Sequence, residues 1–262
     1  MRVFDIHVHI YPDGIAEKAV RSIGDFYGGM QPQGNGLLSD CIRRMDEAGV
    51  ERFAAHSVAL SPHNVESINR FIMEIRSRHP DRIVPFAAIH PDMEDMQAAV
   101  DGIVAQGFRG IKIHPDIQRF QVDGERAAPM VEAIAGRLPL LIHCGDPRFD
   151  NDGPQRILNL RRRFPRQPII CAHFGGWSEW KQVNELLPGN DLMIDTSSSL
   201  YMYPAAEAER AVRRFGAENV FYGTDYPMFT PKEELERFMR LRLSDRERED
   251  ILWNNAARLF QL

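Results

Sequence analysis

The chain has 262 residues, of which 44% are hydrophobic and 26% charged, and a formal net charge of −5. That length admits one large α/β domain or two smaller ones, and the balance of apolar and charged residues is that of a soluble globular protein. Mild acidity gives no support for nucleic acid or an anionic membrane as partner, and no apolar run approaches the ~20 residues of a membrane span. Cys41, Cys144 and Cys171 are odd in number and lack a CxxC spacing, which argues against a disulfide framework. The chain enters a strand at once, without a basic and then apolar leader, so a cytoplasmic location is expected.

The first element is the run Val3 to Ile10, in which apolar and polar residues alternate strictly. Period two reads as a β-strand that projects Asp5, His7 and His9 to one side and Phe4, Ile6, Val8 and Ile10 to the other. Two imidazoles two residues apart on a strand can reach one cation, and imidazole suits Zn, Fe, Ni or Cu. Taken alone, the pair reads equally as a metal site or a polar core pair.

Residues 12–36 are the least regular part, with a short helix expected over Ala16 to Ile23 and a Gly-rich patch from Tyr27 to Gly36. Long irregular segments in compact domains are usually functional or mobile. From Ser39 the pattern becomes regular. A helix capped by Ser39 or Asp40 and stopped by Gly49 leads to a strand over 52–58. Helices over 64–79, 94–106, 124–136, 154–164, 177–187 and 205–215 then alternate with strands over 82–89, 107–113, 139–143, 168–173, 192–195 and 220–223. Two helices, from about Lys232 and Asp245, close the chain.

Eight strands, each followed by a helix, fit a single (β/α)₈ barrel over residues 1–262, a fold of typically ~250 residues. The later strands are short continuous apolar runs, as expected where both faces are buried in a parallel sheet. A doubly wound open sheet is less apt, because no G-x-G-x-x-G follows the first strand.

Active sites of such barrels lie at the C-terminal ends of the strands. Polar residues fall there with regularity: His7 and His9, His56, His90, Lys112 and His114, His143, His173, Asp195 and Asp225. Seven of the nine histidines are in this set, and chance would scatter them. Three imidazoles and a carboxylate suffice to hold a hydrolytic metal ion with one position left for water. His7, His9 and His143 are the expected imidazole ligands and Asp225 the carboxylate, which can also take the proton of an attacking water. His173 is expected beside the metal, orienting water or polarising the substrate.

The motifs Asp5-Ile6-His7-Val8-His9, Gly110-Ile111-Lys112-Ile113-His114-Pro115, Leu141-Ile142-His143-Cys144-Gly145, Cys171-Ala172-His173-Phe174-Gly175-Gly176 and Tyr222-Gly223-Thr224-Asp225-Tyr226-Pro227 follow in order on successive strands. Together they resemble the amidohydrolase superfamily, and in particular the branch that contains aminocarboxymuconate-semialdehyde decarboxylase. The resemblance implies a divalent metal, usually zinc, held by His7, His9, His143 and Asp225, with His173 as the catalytic histidine. Binuclear members bridge two metals with a carboxylated lysine at the end of strand four. Lys112 could be that lysine, a binder of a substrate carboxylate, or an ion-paired structural residue. His114 and Arg148 are further candidates for holding a substrate anion.

Other residues read as structural. Cys144 and Cys171 have no base partner and suit buried thiols. Asp5 is expected to orient a ligand imidazole, Asp195 to position His173 or a loop, and Trp177 and Trp180 to pack. The leading functional expectation is a metal-dependent hydrolase of a small amide, lactone or cyclic carbonyl compound. The alternative is non-oxidative decarboxylation of an unsaturated or aromatic acid on the same ligands, and a third reading is a ligand-binding barrel without catalysis. The expected partner is a small-molecule substrate, and the apolar residues of Tyr27 to Met30 suit either a lid or an interface with a second copy of the chain.

Overall fold

A computed structural model describes residues 1–262. The eight apolar runs form eight parallel strands in sequence order: β1 (Phe4–His9), β2 (Arg52–His56), β3 (Ile83–Ala88), β4 (Gly110–Ile113), β5 (Leu140–Ile142), β6 (Ile169–Cys171), β7 (Met193–Asp195) and β8 (Val220–Phe221). β8 is too short to close the ring alone. The chain after it does so: Ile6 donates to the Tyr222 carbonyl at 2.9 Å, His9 to the Tyr226 carbonyl at 2.8 Å and Asp225 to the His7 carbonyl at 2.9 Å. The result is the (β/α)₈ barrel that the alternation implies.

The helices are α1 (Asp13–Phe26), α2 (Leu38–Ala48), α3 (Val65–Arg78), α4 (Met96–Ala105), α5 (Pro115–Gln118), α6 (Ala128–Ile134), α7 (Pro154–Arg163), α8 (Trp180–Leu186), α9 (Ala205–Phe215), α10 (Pro231–Met239), α11 (Asp245–Glu249) and α12 (Asn255–Phe260). Gly49 ends α2 in the left-handed region, φ 70°, as its position suggests. The expected cap by Ser39 or Asp40 is not made. Leu37 is the N-cap, and Asp40 sits in the first turn, binding Arg43, Arg44 and the Tyr226 hydroxyl. The first helix is longer than expected, because α1 continues through residues 24–26 to cover the barrel mouth.

Two apolar layers meet at the strands. The outer one packs the strands against the helices, with residues such as Val8, Phe53, Ile111 and Ile142. The inner one fills the lower half of the barrel with Phe4, Ile6, Ala54, Phe86, Leu141, Ile170 and Phe221. Phe260 seals its floor, with its ring 5.7 Å from Phe4 and 5.4 Å from Phe86. Fully burying one such side chain contributes about 1.5–3 kcal/mol. With the bottom filled by apolar side chains, the polar strand ends are left to line the top.

Candidate metal centre

The strict alternation of β1 does not survive in the barrel. Asp5 pairs with Phe53 and Val8 with Ala55, so β1 carries one extra residue between them, a β-bulge. A bulge re-aims the side chains that follow it. Ile6 thus stays in the inner core while His7 and His9 both enter the upper cavity. Asp5 does not join them, which corrects its expected role. Its carboxylate accepts from the Thr224 backbone at 3.1 Å, the Thr224 hydroxyl at 2.5 Å and the His7 backbone at 3.0 Å, tying β1 to the segment that carries Asp225.

Asp195 is the residue that orients His7. The two meet at 2.8 Å through Nδ1 and Oδ2, with the Ser197 hydroxyl 2.9 Å from the same nitrogen. A carboxylate can only accept, so Nδ1 carries the proton and Nε2 presents its lone pair to the cavity. The other Asp195 oxygen accepts from the backbone of His173 and of Ser197, each at 3.0 Å, and from the Ser197 hydroxyl. It positions both His173 and its loop, the two roles left open by the sequence.

Asp225 Oδ1 lies 3.4 Å from His7 Nε2 and 3.3 Å from His9 Nε2, while Oδ2 accepts from the Ser198 hydroxyl at 2.5 Å. Burial alone would raise this carboxyl. Only positive charge facing it, on the His7, His9 and His173 rings or on a cation among them, brings it below the usual carboxylate range and keeps it charged at neutral pH. Burial pushes the His7 and His9 imidazoles down, leaving them neutral. A lone pair of His7 thus faces a carboxylate oxygen with no proton between them. Donors bonded at about 2.1 Å to one tetrahedral ion are about 3.4 Å apart, the spacing seen here. The donor set fits a divalent cation. His173 shares this group, for its ring donates the third atom of a His7–His173–Asp225 cluster.

His143 stands one step further out. Its Nδ1 is 2.9 Å from His173 Nε2, and His173 Nδ1 meets the Ser197 carbonyl at 3.1 Å. The carbonyl fixes the proton on His173 Nδ1, so His143 Nδ1 is the donor in the imidazole pair. His114 stacks on His143, centroids 3.7 Å apart, and forms with Asp116, His143 and Asp152 a second group of possible ligand atoms. Burial raises Asp116 to about 7.

Lys112 is 1% exposed and its Nζ has no hydrogen-bond partner. That excludes the ion-paired structural reading. Burial lowers its pKa, opposed by Asp195 and Asp225. Arg148 is not brought to the site. Its head group makes four hydrogen bonds of 2.6–3.1 Å, three of them to Asp146 (Nε 2.9 and 3.1 Å, Nη2 2.6 Å) and one of 2.7 Å to the Phe26 carbonyl. A guanidinium so satisfied holds the end of α1 and is not free for substrate, which corrects its expected role. His90 leaves the cluster too and lies against Asp92. His56 belongs to it: buried, with neither ring nitrogen partnered, it sits edge-on to His9 at 4.4 Å.

Tyr27 was given no place in the site by its sequence context. At the end of α1 its hydroxyl reaches His114 Nε2 at 3.0 Å and His143 Nε2 at 3.5 Å. Trp177 packs on its ring, 5.5 Å away, and Trp180 donates to the His173 carbonyl at 3.0 Å, so both tryptophans serve the site as well as packing. All three cysteines are buried and free, as expected. Above the cluster a chamber of about 550 Å³ runs between α1 and α3, floored by His7, His9, Lys112, His114 and Asp225.

The amidohydrolase family model matches residues 4–262. The chain belongs to the amidohydrolase family. No curated protein matches the sequence. Among solved structures, an uncharacterised TIM-barrel protein from Bordetella bronchiseptica is similar at TM-score 0.80 and 20% identity, over 100% of this chain and 99% of that one. A dihydroxybenzoic acid decarboxylase from Polaromonas sp. JS666 with bound manganese gives 0.77 and 17%, over 100% and 97%. A probable 2-pyrone-4,6-dicarboxylic acid hydrolase from Acinetobacter baumannii gives 0.73 and 16%, over 100% of each chain. At these identities the likeness is one of fold. No helix is long and apolar enough to cross a membrane.

Proposed function

We propose that this amidohydrolase is a metal-dependent hydrolase of a small amide, lactone or cyclic carbonyl compound. The observation that carries the reading is the charged Asp225 carboxylate facing the bare Nε2 of His7, at 3.4 Å, on the floor of the chamber. A divalent ion would be held by His7, His9 and Asp225, and His143 would join as the fourth donor by turning its Nδ1 from His173 to the ion. Zinc is our choice on ligand type, with the manganese of the Polaromonas decarboxylase as the ion to compare. Such an ion supplies Lewis acidity and lowers the pKa of a water toward about 7.

The chain's own residues supply the rest. Asp225, held on Ser198 through Oδ2, receives the proton of the attacking water at Oδ1 and passes it to the leaving group. His173, fixed at Nδ1 by the Ser197 carbonyl, turns Nε2 to His143; with His143 on the ion that nitrogen would be free to bind a proton and donate it to the developing oxyanion. The free, buried cysteines fit a cytoplasmic location.

One observation favours a second reading. The unpartnered, buried Lys112 Nζ is suited to a substrate carboxylate, and with it to decarboxylation. Product analysis separates the two. Zinc-loaded protein is incubated with lactones, cyclic amides and hydroxybenzoic acids while base uptake and CO₂ are followed. Opening of a lactone consumes base and opening of a cyclic amide frees an amine, neither with CO₂; release of CO₂ from an acid, with no lactone or amide opened, overturns the hydrolase reading.

A further inference from the structure

The chamber is larger than a small monocyclic substrate requires. Protein interiors are close-packed and hold few voids larger than a water molecule, so a space of about 550 Å³ reaching a catalytic floor is a binding site. An apolar cavity of about 150 Å³ already accepts a benzene ring. A single-ring compound seated over His9 and Asp225 would leave most of the chamber empty.

The walls define what fills it. Ile15, Ile23 and Phe26 of α1 face Val58 and, from α3, Ile68 and Phe71. Three charged side chains line it: Lys112 and Asp225 on the floor and the exposed Lys18 of α1. Uncharged polar atoms come from Ser22 on α1 and from Ser57, Asn64 and Ser67 on the facing wall. At the mouth, Ile15 is 51% and Leu60 66% exposed, so the apolar lining continues to the surface. Burying a charge in the middle of such a chamber would be costly, whereas apolar surface gains about 25 cal/mol per Å² on leaving water.

We infer that the substrate carries an uncharged apolar arm larger than one ring, and that this arm lies in the chamber between α1 and α3 while the reacting group rests on the floor. The inference relies on the proposed reaction only for which end is the floor. Equilibrium binding tests it without turnover, in the zinc-loaded protein, with benzoate and 2-naphthoate as probes of equal charge that differ by one fused ring. We expect 2-naphthoate to bind at least tenfold more tightly than benzoate. Ala19→Trp, which places an indole in the chamber from α1, should bring the two within threefold and leave benzoate affinity unchanged. Ile68→Trp fills it from α3 and serves as an independent check should either variant fold poorly. Equal affinities in the unaltered protein, no binding of 2-naphthoate at millimolar concentration, or a preference that survives both tryptophans overturns the inference. A protein that shows the ring preference yet opens no lactone or amide would sink the hydrolase reading alone.

Discussion

His7 orders the centre through both of its nitrogens. Nδ1 is committed to Asp195, and the bare Nε2 that results is what makes a cation, and not a proton, the fitting occupant opposite Asp225. Elsewhere the molecule holds a charge it would be more stable without. Glu234 is fully buried; Oε1 accepts from Arg237 and Oε2 has no partner. Burial outweighs Arg237 and raises this carboxyl to about 7 from its ordinary 4.5. The native state therefore binds a proton more tightly than the unfolded chain, and stability declines as pH rises from about 4.5 to about 7. The pH dependence of urea unfolding checks this. Glu234→Gln, neutral at every pH, should flatten the decline, by at most roughly 3 kcal/mol at pH 8. An unchanged profile would show that Glu234 ionises freely in the fold.

At the scale of elements, the loops after β5 and β6 are pressed backbone to backbone. Trp177 donates to the Cys144 carbonyl at 2.7 Å, and Gly145, at φ 76°, has no room for a side chain. A Cβ there would lie 2.6 Å from the Gly176 carbonyl carbon and from the Trp177 nitrogen. Gly145→Ala should cost about 2–4 kcal/mol, from the left-handed backbone and the displaced loop together, and lower activity by moving His143. Gly14→Ala, near the start of α1 with no atom within 4 Å of its Cβ, is the control and should change stability by under about 0.5 kcal/mol. Comparable urea midpoints for the two variants would refute the close approach. Strand ends were legible because a buried parallel strand is a short apolar run, and a polar residue closing it is conspicuous. The departure of Asp5 from the side shared by His7 and His9 was not, since the bulge between Asp5 and Val8 breaks a period that the residues themselves keep. Tyr27 was hidden for another reason: α1 must extend to Phe26 and fold over the mouth before its hydroxyl meets His114. Arg148 misled because its partner, Asp146, is only two residues away and satisfies it locally.

Across the whole molecule, one division organises the barrel. Apolar side chains and the Phe260 plug fill the lower half, and neutral imidazoles with one charged carboxylate line the upper half. Such a ring is stable at neutral pH when a cation offsets Asp225 and uses the lone pairs that face it. The most direct test is metal content per chain by elemental analysis, after loading with zinc and removing the excess. One ion per chain is predicted, lost in His9→Ala and in Asp225→Asn and retained in Arg148→Ala, whose side chain is committed to Asp146 and Phe26. No ion in the unaltered protein, or an ion that survives both His9→Ala and Asp225→Asn, would contradict the centre described here.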